Sequence, residues 1–262
     1  MLQRKQRNIF SKHYNTPINS MESLTKRNNF IYFFYPVFLF WIAGGILLYM
    51  KGYKGSFLLL NSHYSSILDT PLYLLTHLGN GLMIIAILML LWSKDKLDVL
   101  LCVIIGVIIS GIIVQLFKNY LFDKWARPQL VFEGQLLNIH TYPHYRIIDN
   151  SFPSGHSNTI AGVFTIIAYA YRNRTKAFIT LISLFTLLIC YTRIYLGVHF
   201  LGDVLAGSFL GISVSLLTLK FLHLPSKELT DKLYKYKNTS NFIRILGVLL
   251  FLLAIYFVYR DF

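Results

Sequence analysis

Charge is scarce in this 262-residue chain: only 14% of the residues are Asp, Glu, Lys or Arg, whereas 55% are hydrophobic and 16% aromatic. A water-soluble domain carries about 25% charged residues, so a soluble fold is excluded as the main architecture. Cysteine is nearly absent. The two there are, Cys102 and Cys190, fall inside apolar stretches, which leaves no disulfide framework and too few ligands for a zinc site; both read as packing thiols. Asp and Glu number 11 and nowhere bunch into the carboxylate cluster that a Mg²⁺ site needs. Neither a metal nor another cofactor is therefore expected, and EDTA should leave the protein unaffected. The first 29 residues have no apolar h-region and no small-residue cleavage site, so no signal peptide is read and the first apolar stretch is expected to act as the targeting signal. Internal repeats and low-complexity tracts are also missing.

What the chain does have is a series of apolar runs, at 30–50, 72–92, 97–117, 159–171, 177–191, 201–224 and 242–259. Several reach the roughly 20 residues that cross about 30 Å of hydrocarbon. The expected fold is all-α: a polytopic membrane helix bundle with six core transmembrane helices and a seventh at the C-terminus. The runs at 159–171 and 177–191 are short, but small and polar residues extend each of them, as helices facing one another inside a bundle tolerate. Between the first two runs, Phe57 to Asn61 is too short to span and reads either as an interfacial helix or as a half-buried loop helix. Pro71 is expected to open the second span, where its missing N–H costs little.

The formal net charge of +14 does not imply nucleic acid, because the basic residues follow the loops. Six Lys and Arg precede residue 30, two lie in 93–96, three in 172–176 and six in 220–244, against eight in the segments on the other side. That bias is the positive-inside pattern. It predicts a cytoplasmic N-terminus and a multi-pass protein of the inner (cytoplasmic) membrane. Alternating loops cannot assemble the single basic face that a nucleic-acid partner requires. The chain divides into a cytoplasmic polar segment at 1–29, a membrane-embedded unit at 30–224, and a cytoplasmic hairpin with the extra helix at 225–262.

With this orientation three chemically rich segments share the outer side. The first holds Lys118 and Arg127, the second Ser151, Pro153, Ser154, Gly155 and His156, and the third Arg193, His199 and Asp203. Phosphoryl transfer asks for cationic donors around the equatorial oxygens, an in-line nucleophile, and an acid for the leaving oxygen. Arg127 and Arg193 offer planar forks and Lys118 a point charge. Ser154 can cap the helix that follows, leaving free amides at its N-terminus, while Gly155 lets the backbone approach a phosphate. His199 and Asp203 stand four residues apart on one helix face, so the carboxylate can orient the imidazole. In this reading His199 attacks phosphorus to form a phosphohistidine, and His156 protonates the departing oxygen and then activates water.

These residues resemble the motifs of the type-2 phosphatidic acid phosphatase superfamily, which also contains soluble acid phosphatases and vanadium haloperoxidases. The family's proline-serine-glycine-histidine run stands unaltered at residues 153–156. Its last motif is matched from Arg193 to Asp203, with Thr192 where the family usually has serine. The first motif departs: the family's lysine stands six residues clear of arginine-proline, whereas eight separate Lys118 from Arg127, and Lys124 competes for the role. The resemblance runs from about residue 58 to about residue 210. It implies a six-helix core and a phosphatase acting on a lipid phosphate or diphosphate, such as an isoprenoid diphosphate, phosphatidylglycerol phosphate, phosphatidic acid or a lipid A phosphate.

Two alternatives share the same residues. A lipid phosphotransferase would pass the phosphate from His199 to a second lipid, and a catalytically silent membrane protein would bind a lipid phosphate without turnover. Singly, a His at a helix end is usually a packing residue and an Arg at a span end a snorkelling anchor; the joint occurrence on one membrane face argues for an enzyme. His140, His144 and Arg146 lie in the same outer region and read as solvated loop residues or as headgroup contacts. His63 and Asp69 are left outside the site.

Overall fold

The computed structural model describes residues 28–135, 139–142, 147, 149–222 and 238–260. The polar segment before residue 28 and the hairpin at 223–237 lie outside the described residues. What is described is helical: α1 (Ile31–Asn61), α2 (Ser66–Thr76), α3 (Gly81–Trp92), α4 (Leu97–Leu116), the single turn α5 (Pro128–Val131), α6 (Gly155–Ala170), α7 (Lys176–Tyr195), α8 (Leu201–Leu222) and α9 (Thr239–Arg260). α1, α4 with its terminal turn, α7, α8 and α9 are long and apolar enough to cross a membrane. The chain is a multi-pass membrane helix bundle, as its composition predicts.

Every expected span is helical over its described residues, but two differ in shape from the expectation. The run at 72–92 is not one rod. It breaks at Asn80, where the helices on either side meet at 78°. Asn80 leaves the helical conformation at ψ 125° and its Oδ1 accepts from the amides of Leu82, at 2.9 Å, and Met83, at 3.3 Å. A side chain that satisfies two N-terminal amides starts a new helix rather than continuing the old one. Pro71 sits inside α2 rather than at its start, because the helix begins earlier, after extended Ser65. α1 runs past the expected boundary to Asn61, kinked at Gly52, whose φ of 67° favours glycine. The stretch after the kink, 53–61, buries Ser56, Phe57 and Asn61 against protein, which decides for the half-buried helix over the interfacial one.

α6 is the hub. Its 16 residues rise only about 24 Å, shorter than the bilayer core, and it packs against α4, α7 and α8. The approach to α8 is close because Gly207 and Gly211 present bare backbone to the carbonyls of Ser154 and Asn158. This small-residue spacing is the one that lets membrane helices touch. α9 lies against α3, with Gly247 over Met89, so the C-terminal helix is part of the bundle.

The two ends of the bundle differ chemically. At one end Asn29 donates to the carbonyls of Arg172 and Arg174, Lys96 lies over the ring of Tyr171, and Arg244 donates to Ser93. The described basic turns thus gather together. The ends of α4 and α7 and the starts of α6 and α8 converge at the other end, around Arg127 and His199.

Candidate active site

His199 sits between α7 and α8 and is 1% exposed. Gly197, with φ 71°, makes the reversal before it, and a Cβ there would come within 2.7 Å of the His140 carbonyl. The carbonyl of Arg193 accepts from the amides of both Val198 and His199 at 3.1 Å, so the turn that carries the imidazole is pinned to the last turn of α7.

The tautomer of His199 follows from its neighbours. Arg127 Nη1 lies 3.1 Å from Nε2, and a guanidinium only donates, so Nε2 carries the lone pair. Nδ1, 3.3 Å from Asp203 Oδ2, carries the proton. Asp203 is fully buried. Oδ2 accepts from Ser151 Oγ at 2.5 Å and from the Phe200 amide at 2.9 Å, and Oδ1 accepts from the hydroxyl of Tyr53. A buried carboxylate with this many donors is fixed in place and cannot swing away. Burial, aided by the charges of Arg127, Arg193 and Lys118, holds the His199 imidazole well below the usual histidine range, leaving it neutral at physiological pH.

Both arginines are buried. Arg127 precedes the single turn α5, with Pro128 opening it. Nε donates to the Asp149 carbonyl at 2.6 Å, Nη1 to the Val198 carbonyl at 3.1 Å, and Nη2 reaches Asn150 O at 3.4 Å. Much of the fork expected to face a phosphate is therefore engaged with the chain itself, and in this geometry Arg127 steadies His199. Arg193, 1% exposed, donates through Nη1 to Thr76 Oγ1 at 2.7 Å. The Thr192 hydroxyl also lies 2.8 Å from Thr76 Oγ1.

Ser154 caps α6 as the sequence implies: its Oγ accepts from the Ser157 amide at 3.3 Å, and its own amide donates to the Asp203 carbonyl at 3.0 Å. Gly155 follows. A Cβ there would meet no protein atom closer than 3.9 Å, so packing does not demand glycine. Lys118 falls in the five-residue π-turn that ends α4, within electrostatic reach of Arg127, Arg193 and Asp203. Lys124 is exposed. The wider turn helps absorb the longer interval before Arg127.

His156 occupies the first turn of α6, and Gly79 lies against it: a Cβ at 79 would stand 2.9 Å from His156 Cβ. A lateral cavity of about 390 Å³ ends at Gly155 and His156, with walls that include Leu82 and Ile85 of α3 and Val107 and Ile108 of α4.

Tyr53, Ser151 and Thr76 reach the site without having been marked as functional. A buried carboxylate at a helix start announces that donors must exist, yet only tertiary packing says which. Outside the site, Asp69 Oδ1 accepts from the Tyr195 hydroxyl at 2.5 Å. His140 Nε2 lies 3.0 Å from that oxygen, out of line for a hydrogen bond, and its ring stacks on Tyr64. Asp69 and His140 therefore fasten a loop. Exposed His63 bonds the Leu59 carbonyl, and His144 and Arg146 lie outside the described residues.

Comparison with known proteins gives the arrangement a lineage. The model of the PAP2 superfamily matches residues 99–226, which include Lys118, Arg127, Ser154, Gly155, His156, Arg193, His199 and Asp203. Phosphatidylglycerophosphatase B of Bacillus subtilis is 38% identical over 78 residues, 27% of this chain, and the chain matches only 38% of that relative's length. The crystal structure of Aquifex aeolicus LpxE superposes with a TM-score of 0.54 at 25% identity, covering 63% of this chain and 92% of that one. Undecaprenyl-diphosphatase BcrC of Bacillus subtilis is 30% identical over 183 residues, 66% of this chain and 86% of its own length. A match that runs nearly the whole length of a relative, over a bundle of the same architecture, makes this chain a member of the PAP2 superfamily.

Proposed function

We propose that the chain hydrolyses a lipid phosphate or diphosphate through a phosphohistidine on His199, at the membrane surface opposite its basic turns. The observation that carries the reading is the line Arg127–His199–Asp203. A neutral imidazole, its Nδ1–H directed at a buried carboxylate, presents the Nε2 lone pair to a cationic enclosure. A phosphoryl group entering there accepts the Arg127 Nη1 hydrogen that now points at Nε2, which frees the lone pair for in-line attack. Arg193, Lys118 and the amides at the start of α6 take the equatorial oxygens. Asp203 stays ionised and supports the imidazolium charge that develops on attack.

His156 lies between this enclosure and the apolar cavity. The negative charge of an entering phosphate favours the protonated form of this imidazole, in which it is placed to protonate the departing lipid oxygen and then to deprotonate the water that splits the phosphohistidine. The cavity accepts the hydrocarbon chain. No step needs a metal, because the cations are side chains. The unit responsible is 30–224. The gathering of basic turns at the other end supports a site on the outer face.

Purified protein in detergent, offered an isoprenoid diphosphate, phosphatidylglycerol phosphate, phosphatidic acid and a lipid A phosphate, should release inorganic phosphate from at least one. Release from none rejects the reading.

Two further outcomes follow. Tyr53→Phe deletes one donor to Asp203 and should lower kcat about tenfold, since a hydrogen bond to a charged group contributes about 1.5 kcal/mol or more, with KM little changed. An unaffected kcat would remove Tyr53 from the support of Asp203. The lowered titration of His199 means that its nucleophilic neutral form persists as pH falls through the normal histidine range and is lost only below it. The acid limb of kcat/KM, which reports the free enzyme, should accordingly lie below pH 6.5; a limb above that value contradicts a neutral buried nucleophile.

A further inference from the structure

The break between α2 and α3 brings a third imidazole to this site. Thr76 holds Arg193, and three residues later Gly79 packs on His156. His77 stands between them. Its ring meets Tyr73 edge-on at 4.9 Å, and its Nε2 is buried with no hydrogen-bond partner among the described residues. A buried polar nitrogen without a partner is uncommon and costly unless something else completes it.

His77 also lies on a definite side. It acts electrostatically on His156, together with Arg193, Arg127 and Lys118. Gly79, two residues further on, packs on His156, so His77 neighbours the acid. In-line displacement sends the leaving group away from His199 and toward His156, so a donor on that side meets the leaving group.

Resting on the hydrolase reading above, we infer that His77 binds the leaving phosphate of a lipid diphosphate, its Nε2–H donating to an oxygen of the phosphate that departs with the lipid. In the monophosphate of the same isoprenoid chain the leaving atom is one ester oxygen, already met by His156, with only hydrocarbon beyond. A diphosphate leaves as a phosphate with further charged oxygens, for which a second, neutral imidazole donor is suited. In the reaction, water's oxygen ends on the terminal phosphate by way of the His199–phosphorus bond. The bond broken is from the terminal phosphorus to the bridging oxygen, and the proton from His156 goes to the lipid phosphate.

The test compares a lipid diphosphate with the monophosphate of the same chain, using wild type, His77→Ala and His77→Gln. For His77→Ala, the ratio of kcat/KM on diphosphate to that on monophosphate should fall about tenfold or more, and His77→Gln, which keeps an N–H donor, should recover part of it. A merely structural role would lower both activities together and leave the ratio unmoved. An unmoved ratio, or a wild type that cleaves the monophosphate alone, overturns this inference while leaving the hydrolase reading intact. A wild type that releases phosphate from neither lipid overturns both.

Discussion

Replacing His199 by alanine should reduce phosphate release by roughly 10⁴- to 10⁶-fold, the scale on which loss of a covalent nucleophile is felt. The reason is specific to this atom. Water could still attack in line, but nothing would then replace the oriented, desolvated imidazole that Arg127 holds at Nε2, 3.1 Å away, and Asp203 at Nδ1, 3.3 Å away. His156→Ala should impair turnover differently. With His199 intact the first half-reaction can still load the enzyme, and without the acid-base imidazole the phosphohistidine breaks down slowly. Brief incubation with ³²P-labelled substrate should give an acid-labile, base-stable label on the His156→Ala protein and none on the His199→Ala protein. Retention of more than about 1% of turnover by His199→Ala would rule out the covalent route.

A second large effect should come from a residue with no chemistry of its own. Gly211→Leu should cost about 3 kcal/mol or more, the upper range of overpacking. At 2–4 °C per kcal/mol for a chain of this size, melting should fall by roughly 10 °C. The obstacle is backbone: a Cβ at 211 would overlap the carbonyl of Asn158, as one at 207 would overlap that of Ser154. A flexible side chain could rotate aside, whereas a carbonyl inside a helix cannot. Separation of α6 from α8 would also pull Ser154 from the Asp203 carbonyl, which it holds at 3.0 Å, so activity and stability should fall together. Gly45→Ala is the control, since nothing lies within 4 Å of a Cβ there. Thermal unfolding in detergent, followed by retention of the monodisperse peak, measures both. A Gly211→Leu protein that melts like wild type would mean that the two helices are not in close contact.

Some of this architecture is written locally. Hydropathy over 20 residues is a property of a segment, and so is the preference of lysine and arginine for one side of a membrane. Helix class, the multi-pass bundle and the sharing of one bundle end by Arg127, His156 and His199 were therefore readable without coordinates. The Ser154 cap was readable as well, because a cap needs only its own helix. The pairing of His199 with Asp203 needed only the four-residue interval of a helical turn.

What could not be read are the contacts made across the bundle. Tyr53 reaches Asp203 over 150 positions of sequence, and Thr76 reaches Arg193 over 117. Such partners are chosen by how whole helices lie against one another, and no short window contains that information. The same holds for the break at Asn80, where one side chain's competition for two amides divided a run of spanning length. It holds too for the reach of Lys118 and for the commitment of Arg127 to carbonyls. Composition and spacing state which groups a phosphate site has at its disposal. Packing assigns each group its partner, because a hydrogen bond depends on tenths of an ångström that arise only when distant helices have met.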